Sequence, residues 1–180
     1  MQFRETELDG VVIVDLEKIG DERGYFARTW CWDEFFNAGI ETAFVQCNTS
    51  FNRFRGTLRG LHFQIAPSAE CKLIRCTRGR LFDVAVDVRP DSPTRGKWIS
   101  VELSAETGRM FFIPEGFAHG FQTLEDHTEI FYQMTARYDA KAARGIRWDD
   151  PALAIPWPIP RPAVLSDRDK ALPMLAEMAC

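Results

Sequence analysis

The chain has 180 residues, of which 46% are hydrophobic and 27% are charged, a composition typical of a globular domain with a full core. Its formal net charge of -4 argues against non-specific binding of nucleic acid, which requires a basic surface. The first residues are polar, and no stretch is apolar for long enough to cross a bilayer, so we expect neither a signal peptide nor a membrane span. The five cysteines form no C-x-x-C pair, and we therefore expect reduced thiols in a cytoplasmic protein with a single domain, residues 1–180.

The N-terminal part of the chain combines extended segments with one short helix. Residues 11–15 form an apolar run typical of a buried strand. Residues 21–24 predict a turn, after which extended structure resumes over residues 25–27. The segment 32–38 predicts a short helix that ends at Gly39, since glycine readily adopts the left-handed conformation that closes a helix.

From residue 43 onward, short apolar segments alternate with turn residues. No segment here has a long helical period, and many short strands at close spacing indicate an all-β sandwich or barrel. The predicted strands span residues 43–48, 57–64, 72–77, 81–89, 98–103, 109–113, 119–123 and 128–135.

The C-terminal segment has a different character. Residues 151–162 contain too many prolines for a helix or a central strand. We expect this segment to run extended over the body of the protein, held in place by Trp157. A short final helix is predicted near residues 165–169.

Two histidines lie at informative spacings. Residues 56–62 and 108–119 end in His62 and His119, and they resemble the two motifs of cupins, which are small jelly-roll barrels. This resemblance implies a cupin-like double-stranded jelly-roll barrel with short peripheral helices.

The cupin metal ligands are incomplete in this sequence. Gln64 stands where a metal-binding cupin has its second histidine, Glu70 falls too late for the usual glutamate, and His127 lies in a predicted turn. Because such a site needs three or four nitrogen or oxygen ligands on adjacent strands, we expect a barrel without metal.

His62 is the candidate general base, because the unperturbed pKa of histidine is close to neutral. The alternative is a core histidine that is hydrogen-bonded to the backbone. Arg59, Lys72 and Arg75 lie on strands that are predicted to line or rim the same cavity. A cluster of cations there indicates an anionic ligand.

The strand that carries His62 presents a conflict. Strict alternation places Arg59 and His62 on opposite faces of a strand. Gly60 lies between them, and an isolated glycine in a strand is typical of a β-bulge. A bulge at Gly60 that turns both side chains inward is therefore our hypothesis.

Other polar residues have both a functional and a structural interpretation. Tyr132 can donate a proton if it points inward, but the pattern favours a core tyrosine with its hydroxyl at the surface. Asp169 either helps to start the final helix or accepts the second N–H of His62 and fixes its tautomer. Asp83 and Asp87 share a strand face, and at least one of them is expected to be exposed.

Nine segments of the chain occur in an order that resembles one family. They are residues 23–26, 44–48, 58–64, 71–73, 83–89, 91–94, 113–121, 145–151 and 165–169. From residue 11 to residue 173 the sequence resembles the dTDP-4-dehydrorhamnose 3,5-epimerases.

The resemblance implies a homodimeric jelly roll that needs neither metal nor cofactor. It would invert C3, C5 or both in a nucleotide-linked 4-keto-6-deoxyhexose through an enolate, converting dTDP-4-dehydro-6-deoxyglucose to dTDP-4-dehydrorhamnose. The implied catalytic residues are His62 as the base, Asp169 as its partner, Lys72 near the keto oxygen and Tyr132 as the acid. The implied substrate-binding residues are Gln46, Asn48, Arg59, His119, Tyr138, Arg168, Arg23 and Phe26. Of these, Tyr138 would stack on the nucleobase, and Arg23 and Phe26 would cross to the neighbouring subunit's site.

The chain also departs from this family. Arg28 and Ala143 stand where well-known members carry acidic residues, so the reaction type is better determined than the nucleobase or the sugar. Four alternatives remain. Two are enzymes of the same kind, namely a single-centre epimerase and a ketoisomerase of a related nucleotide sugar. The others are a cupin that binds a sugar nucleotide without turnover and a metal-dependent oxygenase. The presence of both a base and an acid argues against the non-catalytic binder, and Gln64 argues against the oxygenase.

Overall fold

The computed structural model describes residues 1–178. Across these residues the chain forms thirteen strands, two short α-helices and one 3-10 turn. The strands are β1 (Gln2–Glu5), β2 (Val12–Asp15), β3 (Ile19–Asp21), β4 (Gly24–Phe26), β5 (Gln46–Asn52), β6 (Leu58–Gln64), β7 (Lys72–Arg78), β8 (Arg80–Asp87), β9 (Trp98–Ser104), β10 (Met110–Ile113), β11 (Phe117–Thr123), β12 (Thr128–Met134) and β13 (Ala143–Gly145). The helices are α1 (Trp32–Asn37) and α2 (Asp167–Lys170), and the 3-10 turn spans Leu175–Glu177. Within this part of the chain, no helix is long and apolar enough to cross a membrane.

The strands form two antiparallel sheets that pack face to face. The six-stranded sheet has the order β1-β2-β10-β7-β12-β5, and the five-stranded sheet has the order β13-β6-β11-β8-β9. Strands β3 and β4 form a separate hairpin. This arrangement is the cupin-like jelly roll, with short peripheral helices, that the sequence predicted.

A core fills the space between the two sheets. Ile74 and Ile130 from the six-stranded sheet and Leu81 and Leu103 from the five-stranded sheet are essentially inaccessible to solvent. Each such side chain contributes roughly 1.5–3 kcal/mol through burial. Ile130 also lines the cavity described below, so this core supports the cavity wall.

The outer face of the five-stranded sheet is covered by the proline-rich segment, as predicted. The Trp157 ring lies edge-on to Phe82, with 5.8 Å between ring centroids. Its indole N–H donates to the carbonyl of Trp148 at 2.8 Å. Because the indole is buried and its one donor is satisfied, Trp157 fixes this segment on the sheet.

The outer face of the six-stranded sheet is covered by α1. Asp33 and Glu34 in its first turn suit the positive end of the helix dipole, and Gly39 follows the helix with a φ of +79°. Phe35 is 1% exposed and packs edge-on against Phe3 at 5.0 Å. The predicted helix and its end are therefore confirmed.

The prediction was least accurate for β5, which spans Gln46–Asn52 rather than residues 43–48. Its inward positions carry Gln46, Asn48, Ser50 and Asn52, and a polar inner face lacks the apolar alternation by which strands are recognised. The edge strands β1 and β13 were missed, because each is short and largely polar.

Candidate active site

A cavity of about 610 Å³ opens between the two sheets. Strands β5, β7 and β12 line it from the six-stranded sheet, and β6, β11 and β13 line it from the other. Ten of the twelve predicted site residues line this one cavity: Gln46, Asn48, Arg59, His62, Lys72, His119, Tyr132, Tyr138, Arg168 and Asp169.

Paired side chains from β5 and β12 form one wall of the cavity. Tyr132 lies opposite Asn48 in the antiparallel register, and Met134 lies opposite Gln46. The Gln46 amide donates to Asn48 Oδ1 at 3.2 Å, and its oxygen accepts the backbone N–H of Tyr138 at 3.0 Å. The amides of this wall are thereby held in fixed orientations.

The expected bulge occurs at Gly60. Along β6–β11, His62 pairs with His119 and Arg59 pairs with Phe121, so three steps on β6 match two steps on β11. Gly60 has a φ of +132°, and an added Cβ would lie 2.5 Å from the Cα of Gly120. Only glycine fits here, and the extra residue lets both Arg59 and His62 line the cavity.

His62 is paired with Asp169. Nε2 of His62 lies 2.7 Å from Oδ1 of Asp169, which is 3% exposed, and the backbone N–H of Gly60 donates to Oδ2 at 3.3 Å. Burial alone would raise the pKa of Asp169, but the hydrogen bond and charge of His62 together with the Gly60 N–H hold it below its usual value. The carboxylate thus accepts a hydrogen bond from the Nε2–H of His62, which leaves Nδ1 with its lone pair free to accept a proton.

Asp169 also satisfies its structural interpretation. Its backbone N–H donates to Oγ of Ser166 at 3.1 Å, and Ser166 is the N-cap of α2. The same short helix therefore positions the side chain that orients His62.

Lys72 is buried in the cavity wall next to Glu70. The ammonium donates to Glu70 Oε1, and the two residues are 7% and 5% exposed. The other carboxylate oxygen of Glu70 has no hydrogen-bond partner among residues 1–178. From the sequence we interpreted Glu70 only as a displaced metal ligand. The available clue to this ion pair was its position two residues before Lys72, because residues two apart in extended chain point to the same side.

Tyr132 lines the cavity and packs against the core between the two sheets, so the residue points inward, as a role as proton donor requires. Burial raises the pKa of Tyr132, and the nearby charge of Arg59 only partly opposes this effect. The phenol therefore keeps its proton at neutral pH and can act as a proton donor.

A second histidine–carboxylate pair was missed. Nε2 of His119 lies 2.6 Å from Oδ1 of Asp83, which has no exposed surface. Asp87 is equally buried, so the expectation that one of these aspartates is exposed was wrong. Asp87 instead accepts hydrogen bonds from Arg89 and its neighbours in the loop after β8, because it lies at the end of the strand.

Arg75 does not line or rim the cavity, and that prediction was wrong. It lies three residues after Lys72 in β7, and alternation places the two on opposite faces of the sheet. Its guanidinium lies 5.5 Å from the centroid of the Phe131 ring. Arg75 thus packs on the outer face of the sheet.

Arg23 and Phe26 also lie outside the cavity. Both belong to the β3–β4 hairpin region, where the Arg23 side chain is 90% exposed and Phe26 is 68% exposed. Arg23 forms an ion pair with Asp21 at 2.5 Å. Their contribution to a neighbouring subunit's site stays a prediction.

The side-chain amide of Gln64 forms hydrogen bonds with backbone groups. It donates to the carbonyls of Ser68 and Arg137 at 2.8 and 3.2 Å and accepts the N–H of Asp139 at 2.6 Å. Within residues 1–178 there is no group of three or more His, Cys, Asp or Glu side chains placed to hold a metal ion.

A family model, curated relatives and solved structures all show that this chain is similar to one group of proteins. The family model described as dTDP-4-dehydrorhamnose 3,5-epimerase matches residues 5–177. A protein named dTDP-4-dehydrorhamnose 3,5-epimerase from Sinorhizobium fredii is 48% identical over 178 residues, which are 99% of this chain and 91% of the relative. The crystal structure of the Bacillus anthracis protein of that name, with TDP and PPi bound, has a TM-score of 0.93 and 41% identity, and the match covers 96% of this chain and 98% of that one. The structure of dTDP-6-deoxy-D-glucose-3,5-epimerase from Legionella pneumophila in complex with dTDP-4-keto-L-rhamnose has a TM-score of 0.93 and 38% identity, covering 99% of this chain and 94% of the other.

Proposed function

This chain belongs to the dTDP-4-dehydrorhamnose 3,5-epimerase family of isomerases, and we propose that its cavity converts dTDP-4-dehydro-6-deoxyglucose to dTDP-4-dehydrorhamnose. The observation that carries this proposal is the placement of a base and an acid on opposite walls. His62 lies in the five-stranded sheet and Tyr132 in the six-stranded sheet, and both line the same cavity. A sugar ring held between them loses a proton from one face and regains a proton on the other, which inverts the carbon.

Nδ1 of His62 removes a proton next to the C4 ketone. The C–H bonds at C3 and C5 are both adjacent to this ketone, and removal of either proton gives the same type of enolate. Asp169 stabilises the imidazolium that forms, because it remains a carboxylate 2.7 Å from Nε2. General acid–base catalysis of this kind contributes roughly 10²–10⁴-fold.

Lys72 stabilises the developing oxyanion. A preorganised donor of this type is worth about 2.7–4 kcal/mol. The carboxylate of Glu70 holds the ammonium in position, so little reorganisation is needed when charge moves onto the C4 oxygen.

The remaining cavity residues bind the nucleotide and the diphosphate. Arg59 and Arg168 supply cations for phosphate oxygens, and guanidinium groups can contact these oxygens in pairs. Tyr138 is 54% exposed at the cavity mouth, where its ring is available to stack on a base. Gln46, Asn48 and His119 supply the further polar contacts.

We further propose a homodimer in which Arg23 and Phe26 of one subunit reach the neighbouring cavity. The large exposed apolar surface of Phe26 supports this assembly, since such surface is usually covered by a partner. The free thiols of Cys31, Cys47 and Cys71 support a reducing, cytoplasmic location. One domain, residues 1–180, would carry the whole site.

The test is proton NMR in D₂O with the purified protein and dTDP-4-dehydro-6-deoxyglucose. We expect deuterium to enter at both C3 and C5 as the epimerised product forms. Entry at one carbon identifies a single-centre epimerase. Absence of exchange at both carbons, with the nucleotide still bound, would contradict the proposal and favour a non-catalytic binder.

A further inference from the structure

The cavity contains two histidine–aspartate pairs on adjacent strands. His62 on β6 and His119 on β11 are direct partners in the antiparallel register. Each presents Nε2 to a buried aspartate, at 2.7 Å from Asp169 and 2.6 Å from Asp83. In both rings the side-chain hydrogen bond within residues 1–178 is made through Nε2, so Nδ1 is left for a ligand, and both rings line the cavity.

The two aspartates have different surroundings. Oδ2 of Asp169 accepts the Gly60 N–H, whereas Oδ2 of Asp83 is buried without a hydrogen-bond partner among residues 1–178. Asp83 lies on β8 opposite Val101 of β9. An ionised carboxylate is costly in such a place, because one of its oxygens is buried and accepts no hydrogen bond from residues 1–178.

We propose that Asp83 is a positioning residue that makes Nδ1 of His119 a hydrogen-bond donor to the substrate oxygen that gains charge during epimerisation. This inference rests on the proposed function for the identity of that oxygen. The two pairs would then have opposite roles, since His62 offers a lone pair to a C–H proton while His119 offers an N–H to the oxyanion.

Proton counting supports the assignment. A pair with a single proton places it on Nε2, facing the carboxylate, and leaves Nδ1 bare. A pair with two protons carries one on Nδ1 in either arrangement, whether Asp83 is neutral or the imidazole is charged. Burial raises the pKa of Asp83, and this favours the second proton.

Neighbouring charges favour the neutral arrangement of that pair. The ionisable groups that line the cavity around His119 include the cations Arg59 and Lys72, as well as His62 and Tyr132. Two carboxylates also line it, namely Glu70, which pairs with Lys72, and Asp169, which pairs with His62. Since Glu70 offsets the charge of Lys72, Arg59 is the cation of this group that disfavours an imidazolium nearby. A neutral Asp83 that donates to Nε2, with the second hydrogen on Nδ1, keeps the donor without adding another positive charge.

The first experiment needs no substrate. The chain has three histidines, so long-range ¹H–¹⁵N NMR of the ¹⁵N-histidine protein, assigned with His119→Asn and His62→Asn, resolves each ring. At pH 7 we expect a proton on Nδ1 of His119 and a bare Nδ1 on His62. A bare Nδ1 on His119 would overturn the proposal whether or not the protein is an epimerase.

The second experiment uses kinetics of solvent exchange and of product formation. Asp83→Ala should lower kcat by about 10²-fold or more with KM changed less than about threefold, because the donor acts on charge that develops only in the transition state. Asp83→Asn should stay within about tenfold of the wild type, because its amide can donate to Nε2 as a neutral carboxyl does.

Asp87→Asn is the matched control. Asp87 is equally buried on the same strand face but lies outside the cavity lining, so its variant should keep kcat per folded protein within about twofold. Equal loss in Asp83→Asn and Asp83→Ala, or a raised KM with unchanged kcat, would contradict the assigned role. Absence of wild-type turnover with the expected NMR result would instead overturn the proposed function and leave the tautomer assignment intact.

Discussion

The Asp169→Asn variant tests the role of the carboxylate that orients His62. The asparagine oxygen can still accept the Gly60 N–H, and its amide then donates to Nε2 of His62. This arrangement forces the imidazole proton onto Nδ1, which is the nitrogen that must accept the substrate proton. The variant therefore removes both the charge and the correct tautomer.

The size of the effect follows from the geometry. A hydrogen bond to a charged partner contributes about 1.5–3 kcal/mol, and the Asp169 side chain is only 5% exposed, so solvent screens it little. To regain the tautomer with a free Nδ1 lone pair, the imidazole must give up the hydrogen bond from the asparagine amide to Nε2, which costs about a further 1 kcal/mol. Together these terms amount to roughly 10²–10³-fold in the rate of proton abstraction, since about 1.4 kcal/mol corresponds to tenfold.

The assay is the initial rate of deuterium entry at C3 and C5, measured by proton NMR at saturating substrate. Asp167→Asn is the control, because Asp167 lies two residues away in the same helix with its side chain 98% exposed. We expect the control to stay within about twofold of the wild type. If Asp169→Asn also exchanges within about threefold of the wild-type rate, the carboxylate does not set the base, and the reasoning is refuted.

Three other variants test the acid, the bulge and the acid stability of the fold. Tyr132→Phe should slow formation of inverted product by roughly 10²–10⁴-fold while His62 still exchanges protons on its own face, and inverted product at the wild-type rate in D₂O would remove Tyr132 from the mechanism. Gly60→Ala should destabilise the protein by at least about 2 kcal/mol in urea unfolding, because the new Cβ would lie 2.5 Å from the Gly120 Cα at a φ of +132°; a loss below about 0.5 kcal/mol would contradict this. Burial would raise the pKa of Asp87, but hydrogen bonds from Arg89, Ser92 and Thr94 lower it from 3.8 to about 2. A depressed carboxyl pKa stabilises the fold above the unfolded-state value and loses that contribution as the pH falls through the folded-state value. The wild type should therefore exceed Asp87→Asn by about 2 kcal/mol at pH 7, with the difference shrinking between about pH 4 and pH 2, and a difference that does not change with pH would refute the assignment.

The sequence was sufficient for much of the fold. Strands β6 to β12 were found to within about three residues at each end, because each carries an apolar face and is bounded by turn residues. The end of the helix at Trp32–Asn37 was predicted from the glycine that follows it. The extended segment that contains Trp157 was predicted from its proline content. These features depend on local chemistry, which a single sequence contains in full.

The sequence also determined the composition of the site, because the motifs contain His62, Lys72, Tyr132 and Asp169 in order. It did not determine which side chains face one another. Arg75 packs outside the barrel, and Asp83 pairs with a histidine 36 positions away. Such contacts depend on which strands are neighbours, and on their register.

The two histidine–aspartate pairs illustrate this division. The residue types alone make both histidines equivalent, since each has an aspartate available somewhere in the chain. Three features of the folded chain distinguish them. At the bulge, the Gly60 N–H donates to Asp169, whereas one oxygen of Asp83 accepts no hydrogen bond from residues 1–178. The sequence by itself therefore determined which groups are present, whereas the tertiary structure decided which of them are buried and paired, because those contacts depend on which strands are neighbours and on their register.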